Sequence, residues 1–450
     1  MQHLTTDILV IGGGPAAMVM VSTALDNYPD KSITVIKKEK QSLVPCGIPY
    51  IFGTTLGSSD KDAMTCGGPM AEAINLVVDE VIEIDINEKT LKAHEHTVRF
   101  DKLVFATGSI PFVHSNFEDA LALENVFIIE KDKQAIDALK DYMATCKHVI
   151  VVGSGFIGVE IAEQLRSVEK EVTLVGGRHI LAGSFDTDMA KEAEAIMRDK
   201  GIHLALGQHA THVTKEGTHA TGVALKDGSV IKGDVIVMAT GYQPNTALAA
   251  AAGLKLARYK GIWVDEYMRT RNKDIFAIGD CAGRRDFISR DPSKVMLAST
   301  SAAEARVAGL SLYGLKYLKG FNGTIAIFST MIGNRAFGSA GLTEAQAKKE
   351  NIDCVVGYFE GKNRHPATIP DASTQSVKLI ALRGSGQIIG GQVIGDKEAG
   401  EMINIIGLAI EAELSAHHLV SLQVATQPLL TSAPTTYPIV KAAEKILLQR

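Results

Sequence analysis

The sequence predicts an α/β protein that contains two Rossmann-like domains and a C-terminal α+β domain. Two glycine-rich turns, which begin at Gly12 and Gly153, each follow a short apolar strand and open a helix. After about residue 321 such turns give way to strands in which apolar and polar residues alternate. A chain of 450 residues is also too long for a single hydrophobic core, so several domains are expected.

Short runs of β-branched and other apolar residues supply the strands of the two Rossmann-like domains. Near-continuous apolar strands are typical of parallel sheets that are buried on both faces. Helical patterns at 15–25 and 157–165 lie between successive strands, so each glycine turn belongs to a βαβ unit. The predicted strands of these domains are 7–11, 33–36, 103–105, 148–152, 172–175, 235–238 and 275–278.

The second βαβ unit is predicted to belong to a domain inserted within the first. We assign residues 1–115 and 250–320 to the first Rossmann-like domain and residues 116–249 to the second. Residues 321–450 are assigned to the α+β domain. Its predicted elements are strands at 324–328, 354–359, 377–382 and 388–394, and helices near 401–413 and 439–448.

The composition argues against nucleic acid, a membrane or a metal as a partner. The net charge is −5 and the pI about 6.2, and no long basic run is present that would attract a phosphate backbone. No apolar stretch reaches the roughly 20 residues needed to cross a bilayer, and no leader is expected before the first strand. Five cysteines are scattered without the spacing of a zinc site or a disulfide framework. We therefore expect a cytoplasmic protein without a metal.

The two glycine turns are the first indication of a ligand. In both, residues at the G-x-G-x-x-[G/A] spacing directly follow a strand and begin a helix. Glycine permits the tight turn and lets backbone N–H groups approach a pyrophosphate at the helix N-terminus. Two such turns in βαβ units therefore predict two dinucleotide sites. The residues are Gly12, Gly14 and Ala17 in the first turn and Gly153, Gly155 and Gly158 in the second.

Three further motifs assign the two dinucleotides by resemblance. The segment 270–280 reads TRNKDIFAIGD, and ATG turns occur at 106–108 and 239–241. In this order the motifs resemble those of the pyridine nucleotide-disulfide oxidoreductases over essentially the whole chain. The resemblance implies FAD in the first domain, with Asp280 bonding its ribityl chain, and NADPH or NADH in the second. The cofactor-binding residues implied by these motifs are Thr107, Gly108, Gly241, Gly279 and Asp280.

Both domains depart from the pattern at the acid that normally accepts a ribose hydroxyl after the second strand. In the first domain Lys37 and Lys38 follow the strand, and Glu39, the nearest acid, either binds the ribose or lies in solvent. In the second domain Gly176 stands at the strand end and Arg178 follows shortly after. Since no carboxylate there would repel a 2′-phosphate, the site favours NADPH. The alternative is that Arg178 faces solvent and NADH is used.

Cys46 is the candidate redox residue. Disulfide reductases of the family carry a C-x-x-x-x-C pair here, whereas Gln41 and Ile51 stand five residues to either side of Cys46, so no local dithiol can form. A single cysteine must instead form a mixed disulfide, a persulfide or a sulfenic acid with an external partner. The segment 42–50, SLVPCGIPY, resembles that of coenzyme A-disulfide reductases and their polysulfide- and oxygen-using relatives. The resemblance implies that Cys46 faces the flavin at the start of a helix, which would lower its pKa.

Three other residues are assigned to catalysis by the same resemblance. Glu160 matches a helix glutamate that lies beside the flavin and the nicotinamide in relatives. Tyr437 stands where relatives supply a tyrosine acid, and His365 replaces a second tyrosine. The third domain resembles the family's dimerisation domain, which brings C-terminal residues to the flavin of the other subunit, so a homodimer is expected. The alternatives are a solvated helix face for Glu160 and packing or loop roles for the other two.

The other four cysteines match no position of the motif. Cys66, Cys146, Cys281 and Cys354 are therefore predicted to be chemically inert, although Cys66 stands in a Gly-Gly-Pro loop.

These features predict an FAD-dependent NAD(P)H oxidoreductase that acts through Cys46. The expected substrate is coenzyme A disulfide, a polysulfide or another low-molecular-weight disulfide. One alternative is an NAD(P)H oxidase that uses oxygen, and another is a redox-sensing FAD protein that acts through a partner. Pro15 fills the position at which peroxide- and oxygen-reducing relatives carry a histidine, so a peroxide-reducing activity is less well supported than disulfide reduction.

Overall fold

The N-terminal sheet forms around strand Gln2–Ile11, whose apolar C-terminal half is buried. The computed structural model describes residues 1–65, 67–316 and 320–449. Strand Gln2–Ile11 runs parallel to its neighbours on both sides, and strand Ile275–Ala277 joins the sheet from far along the chain. Within the described residues the order is Asn75–Val78, Ile33–Lys37, Gln2–Ile11, His96–Phe105, Thr90–Ala93 and Val81–Asp85, with Ile275–Ala277 also paired to His96–Phe105.

A second sheet, wholly parallel, is made from residues of the predicted insertion. Its strands are short and apolar, and the central ones are buried on both faces. An antiparallel sheet from the same segment follows it, formed by Ala210–Glu216, His219–Leu225 and Val230–Lys232. The parallel order is Val126–Ile128, Val235–Met238, His148–Val152, Glu171–Val175 and His203–Ala205.

Helices Pro15–Asn27 and Phe156–Ser167 open directly after the two glycine turns, within two residues of the predicted 15–25 and 157–165. Each helix leads back to a parallel strand of its own sheet, so both βαβ units are confirmed. The other helices of residues 1–316 are Ile48–Ile51, Pro69–Ala73, Lys133–Ala144, Thr187–Asp199, Ala247–Ala251 and Ala298–Ser311; short 3₁₀ turns occur at Ser59–Asp62, Ser115–Ala122 and Gly279–Cys281.

The C-terminal domain is an antiparallel sheet covered by helices Ala399–Glu411 and Pro438–Leu447. Strands Thr374–Leu382 and Ile388–Gly395 are almost entirely buried, which makes them the centre of this core. The sheet order is Phe328–Ile332, Arg335–Gly341, Ile388–Gly395, Thr374–Leu382 and Cys354–Lys362, and the shorter helices are Glu344–Lys349 and Ala416–Val420.

The strand predicted at 324–328 is wrong, because the strand begins where that segment ends, at Phe328. The hydroxyl of Thr324 lies 3.0 Å from that of Thr300, and its N–H donates to the carbonyl of Arg285. Ala326 has a φ of 59°, which interrupts the extended backbone. The β-branched Thr324 thus looked like a strand residue in the sequence, but in the structure its contacts are with residues of the first domain.

Ion pairs of the buried Lys378 and a short strand pairing join the domains. Lys378 of the C-terminal sheet is 3.1 Å from Asp186 and 2.9 Å from Asp188, both of which belong to the second Rossmann-like domain. Strand Ser109–Pro111 pairs with Tyr242–Pro244, so the two ATG turns lie next to each other. No helix within the described residues is long and apolar enough to span a membrane. The exact domain boundaries stay a prediction.

Candidate functional site

The two glycine turns have the same construction. Gly12 and Gly153 have φ values of +110° and +123°, and a β-carbon on either would overlap a carbonyl oxygen, that of Ala106 or Ala239. These two alanines open the ATG turns at the ends of neighbouring strands. Each glycine turn is thus locked against its own ATG turn, and the ends of three strands converge at each site.

The mouth of each turn is open where a pyrophosphate would approach. A β-carbon on Gly14 or Gly155 would meet no atom within 4 Å, and each of these residues caps its helix without a side-chain hydrogen bond. Each helix therefore begins beside open space, where a pyrophosphate can approach its N-terminus. Gly158 packs against the Gly153 carbonyl with no room for a β-carbon, and Ala17 is fully buried at the matching place. This geometry fits a dinucleotide at both turns.

Asp280 lies beside the first turn and is held in its ionised form. Its Oδ2 accepts from Ser109 Oγ at 2.8 Å and lies 3.2 Å from Lys131 Nζ. Burial opposes ionisation, but the nearby charges of Lys131 and Arg284 and the Ser109 hydroxyl together hold the pKa of Asp280 below its usual value. An ionised carboxylate is a hydrogen-bond acceptor, which suits the hydroxyls of a ribityl chain.

Lys131 is a site residue that the sequence analysis missed. Its Nζ also donates to Ser109 Oγ at 2.6 Å and stands 4.7 Å from the centroid of the Tyr242 ring. The residue follows strand Val126–Ile128 of the second domain, so it brings a cation from one domain to an acid of the other. Only its position after a strand could have signalled this role.

A cavity of about 460 Å³ lies beside Asp280 and is within the usual size range for small-molecule sites. Its walls include Gly241 and Tyr242 from the second ATG turn and the loop that contains Arg258. Gly108, from the first ATG turn, has open space on the side where a β-carbon would stand. Thr107 donates through its hydroxyl to the Asn245 carbonyl at 2.6 Å, which ties the first turn to the segment after the second.

The strand end of the second domain carries Gly176 and Arg178 as the sequence indicated, and His179 follows them. A β-carbon on Gly176 would overlap the Ser154 side chain, which explains why a glycine stands where a carboxylate is usual. Arg178 is exposed and free to meet a ligand, although its role remains a prediction. His179 is buried, with Nδ1 2.9 Å from the Ile180 carbonyl. Arg178 is therefore the better candidate for a 2′-phosphate.

The strand end of the first domain offers a lysine as well as the predicted acid. Glu39 is exposed, and its assignment to a ribose remains a prediction. The Lys37 side chain lies over Gly13, and its Nζ donates to Ser42 Oγ at 3.2 Å. Lys37 thus connects the glycine turn to the loop that carries Cys46.

Cys46 is exposed on a loop between a short strand and a short helix. Strand Ser42–Leu43 pairs with Ala63–Met64, and helix Ile48–Ile51 packs its apolar residues against helix Phe156–Ser167. Gly53, just after the short helix, has no room for a β-carbon because Gln164 of the longer helix lies against it. These contacts bring the cysteine loop of the first domain to the nucleotide helix of the second.

The expected lowering of the Cys46 pKa is wrong for the protein alone. Desolvation by the surrounding protein raises the pKa of the thiol, and the negative charge of Glu160 raises it further, while Lys131 opposes them. The helix after Cys46 has only 4 residues, and Gly47 stands between the cysteine and its first turn. A helix of one turn carries little dipole, so it does not outweigh desolvation.

Glu160 is a partly buried acid whose pKa lies near neutrality. Burial raises its pKa to about 7, although the hydrogen bond from Thr330 Oγ1, at 2.7 Å, lowers it. Thr330 belongs to the first strand of the C-terminal domain. The rings of Phe156 and Phe328 are stacked with centroids 4.9 Å apart, so they also pack this strand against the helix that carries Glu160. Glu160 raises the pKa of both Cys46 and Tyr50, so its charge acts within the cysteine site.

Asp62 is a second acid at the cysteine loop, and no sequence motif pointed to it. Its carboxyl packs directly on Gly47, and its Oδ2 is buried without a hydrogen-bond partner among the described residues. Burial raises its pKa to about 6. Its charge also raises the pKa of Cys46.

Tyr437 and His365 lie in the C-terminal domain without a described contact to Cys46 of the same chain. Tyr437 is 7% exposed and belongs to the apolar core of its domain, an environment that favours packing. His365 Nδ1 lies 2.9 Å from the Thr431 carbonyl. Their assignment to catalysis stays a prediction from resemblance.

The remaining described cysteines differ from Cys46 in exposure. Cys146 and Cys281 are buried and Cys354 is partly buried, whereas Cys66 lies outside the described residues. Burial raises the pKa of each of these three thiols, as desolvation does for Cys46, so their lower exposure is what distinguishes them from Cys46. Among the described residues no cluster of three or more His, Cys, Asp or Glu side chains could hold a metal ion.

Comparison with known proteins agrees with this geometry. The NADH oxidase of Methanocaldococcus jannaschii is 29% identical over 453 residues, which cover 98% of each chain. The NAD(P)H coenzyme A polysulfide/persulfide reductase of Pyrococcus horikoshii is 29% identical over 405 residues and 88% of each chain. The solved NAD-dependent persulfide reductase from A. fulgidus superposes with a TM-score of 0.90 at 28% identity, over 99% of this chain and 83% of that one.

Family profiles match both parts of the chain. The profile described as pyridine nucleotide-disulphide oxidoreductase matches residues 6–305, and the profile of the family's dimerisation domain matches residues 327–438. The first match includes both glycine turns, Cys46 and Asp280. The chain therefore belongs to the pyridine nucleotide-disulfide oxidoreductases, FAD-dependent enzymes that also bind NAD(P)H.

Proposed function

We propose that this enzyme reduces coenzyme A disulfide, a polysulfide or a related low-molecular-weight disulfide through Cys46. The observation that carries the proposal is the exposure of Cys46 on a loop packed against the helix that contains Glu160. The reductases of P. horikoshii and A. fulgidus, whose names describe polysulfide and persulfide reduction, support it. An exposed thiol whose pKa responds to the charge of a titratable acid suits sulfur exchange with a small substrate.

The sulfur chemistry needs one cysteine and two electrons. The Cys46 thiolate attacks the substrate disulfide, so that an S–S bond forms to one half and the other half leaves as a thiolate, which takes a proton. Two electrons then break the new S–S bond, which restores the Cys46 thiolate, and the second half leaves as a thiol after gaining a proton. When bound, FAD supplies these electrons from NAD(P)H.

Glu160 is proposed to transfer a proton in this cycle, as a general acid and base. Its pKa of about 7 means that the carboxyl is partly protonated at neutral pH. A partly protonated acid can give a proton to a leaving thiolate and take one from the Cys46 thiol. Thr330 keeps the carboxyl in one orientation through its 2.7 Å hydrogen bond. The C-terminal domain therefore fixes the orientation of this acid.

We propose that NADPH is used at least as well as NADH. The exposed guanidinium of Arg178 follows a strand end that lacks a carboxylate because Ser154 leaves no room at Gly176. A guanidinium binds a phosphate in a bidentate fashion, and nothing in the loop that follows Gly176 would repel the 2′-phosphate.

We propose that the functional unit is a homodimer. The C-terminal domain matches the family's dimerisation domain and exposes several large apolar side chains. Leu408, Leu429 and Leu430 are 62%, 60% and 65% exposed, and such a surface favours a partner.

Oxygen is the second candidate acceptor, because the M. jannaschii relative is named as an NADH oxidase. Anaerobic and aerobic stopped-flow measurements with purified holoenzyme separate the candidates. Turnover of coenzyme A disulfide or polysulfide without oxygen supports the proposal, and NAD(P)H consumption that requires oxygen supports an oxidase. A long-lived reduced complex that turns over with neither acceptor supports a redox sensor.

The deciding variant is Cys46→Ser, which nearly preserves volume but removes the thiolate. Disulfide or polysulfide reduction should be lost, while FAD stays bound and reducible by NAD(P)H, because only the sulfur step needs the thiolate. Cys354→Ser, which changes a partly buried thiol elsewhere, is the matched control and should retain activity. Full disulfide reductase activity in Cys46→Ser would reject the proposal.

A further inference from the structure

The turn that presents Asp280 contains a buried glycine, Gly279, in the left-handed backbone region. Gly279 is buried with a φ of +72°, just after strand Ile275–Ala277 ends, so its backbone groups lie outside the regular sheet. A β-carbon on Gly279 would lie 3.0 Å from the Ala16 side chain, in the first turn of the helix that follows the glycine turn at Gly12. The Asp280 turn therefore packs directly against the pyrophosphate turn.

Two buried side chains hold the peptide groups of Gly279. The Gly279 N–H donates to Glu304 Oε2 at 2.9 Å, and its carbonyl accepts from Arg284 Nη2 at 2.5 Å. Arg284 Nη2 is also 3.2 Å from Glu304 Oε2, and Nη1 donates to the Val295 carbonyl at 2.9 Å. The backbone N–H of Ala282 gives the Gly279 carbonyl a further bond. Arg284 and Glu304 thus hold Gly279 from its two sides; together we call them the Gly279 clamp.

The clamp is costly, which argues that it does more than fill space. The Glu304 side chain is 0% exposed and that of Arg284 3% exposed. Glu304 Oε1 is buried and has no hydrogen-bond partner among the described residues. Burial raises the pKa of Glu304 to about 7, although Arg284 and the Gly279 N–H favour the charged form. A buried ion pair with an unsatisfied oxygen contributes less to stability than apolar side chains of the same volume would.

We propose that Arg284 and Glu304 are positioning residues for Asp280, and that the Gly279 clamp sets how tightly this enzyme holds FAD. Asp280 itself is bonded to Ser109 and Lys131 and meets neither clamp residue through a hydrogen bond in the described structure. The clamp therefore positions Asp280 through the backbone of the preceding residue, while the charge of Arg284 also lowers the pKa of the Asp280 carboxyl. The inference rests on FAD binding and not on the proposed disulfide chemistry, so the two can fail separately.

The test measures FAD binding directly. Apoprotein of each variant is titrated with FAD, and the quenching of flavin fluorescence and the circular dichroism of bound FAD between 350 and 500 nm are followed. Glu304→Leu and Arg284→Met should each raise the Kd about tenfold or more, because each removes a hydrogen bond to a charged group that holds Gly279. Glu304→Gln should stay within about threefold of wild type, because its amide oxygen still accepts from Gly279 N–H.

The FAD affinity of the double variant shows whether Arg284 and Glu304 act together as a clamp or as two independent packing residues. In Glu304→Leu/Arg284→Met neither residue leaves the other as an unpaired buried charge, so the Kd should rise by clearly less than the product of the single effects. Arg306→Met, on the exposed side of the same helix, is the matched control and should bind FAD as wild type does. A changed flavin dichroism in the clamp variants, absent in the control, would add support.

Three results would overturn the proposal. The first is a Kd within threefold of wild type for both Glu304→Leu and Arg284→Met. The second is an equal loss in Glu304→Gln and Glu304→Leu, since the acceptor is then irrelevant. The third is a double variant whose rise in Kd equals the product of the rises in the single variants.

If Glu304→Leu does not yield folded apoprotein, Arg284→Met and Glu304→Gln decide. A tenfold rise in the Kd of Arg284→Met together with wild-type affinity in Glu304→Gln supports the clamp, and any other pair of results rejects it.

Discussion

Glu160→Gln should stabilise the enzyme at alkaline pH and leave its stability unchanged under acidic conditions. Burial raises the pKa of Glu160 from 4.5 to about 7, which corresponds to about 3 kcal/mol between its protonation states. Because the folded-state pKa is raised, the carboxyl's favourable contribution is fully present below pH 4.5 and is lost as the pH rises through about 7. Glutamine resembles the protonated acid at every pH and still accepts the Thr330 hydrogen bond.

Urea unfolding of FAD-free protein, followed by circular dichroism at about pH 4.5 and pH 8.5, measures this difference. Because part of the Glu160 side chain reaches solvent, we expect a gain of about 2 kcal/mol at the higher pH and none at the lower. Glu169→Gln, an exposed residue just beyond the same helix, should show no such pH dependence. An equal effect of Glu160→Gln at both pH values, or a loss of stability at pH 8.5, would refute the reasoning.

Three further changes test other parts of the site. Asp62→Asn removes a charge that raises the pKa of Cys46, so the pH midpoint of Cys46 alkylation by iodoacetamide should fall, and an unchanged midpoint rejects this coupling. Arg178→Ala should lower the NADPH-to-NADH ratio of kcat/KM by about ten- to a hundredfold, and a constant ratio means that another residue reads the phosphate. Leu430→Asp should give monomers in light scattering while Leu315→Asp, on the first domain, does not; a dimeric Leu430→Asp protein would place the interface elsewhere.

The buried strands of the two Rossmann-like domains were predictable because most of their residues are apolar or β-branched. Strand Val235–Met238 was predicted to the residue, since both of its faces are covered. Strand Gln2–Ile11 was predicted only from residue 7, because its first residues are partly exposed and polar. The hairpin Val81–Asp85 and Thr90–Ala93 was missed for the same reason: its mixture of charged and apolar residues also suits a loop.

The glycine turns were predictable because the steric reason for each glycine comes from a few residues of a recognisable motif. Most contacts of the acidic and basic side chains were not predictable, because they join residues that are far apart in the sequence. Gly12 and Gly153 each satisfy a steric demand that a few neighbouring residues impose. Lys131 reaches Asp280 across 149 positions of sequence, and Arg284 meets Glu304 only because a helix packs behind the turn. The direction of the Cys46 pKa also depends on burial by distant residues, which no short motif reports.

The late strand Ile275–Ala277 sets the order in which this enzyme can be completed during synthesis. It pairs with His96–Phe105, so the sheet that supports the FAD site stays unfinished until the whole intervening domain has left the ribosome. That domain draws all strands of its parallel sheet from residues 126–238 and can fold first. Meanwhile the end of strand His96–Phe105 remains an unpaired edge, open to pairing with other chains. A chain that stops before Ile275 therefore leaves the end of strand His96–Phe105 as an unpaired edge, so its first sheet is incomplete. Such a chain also lacks Asp280 and cannot hold flavin.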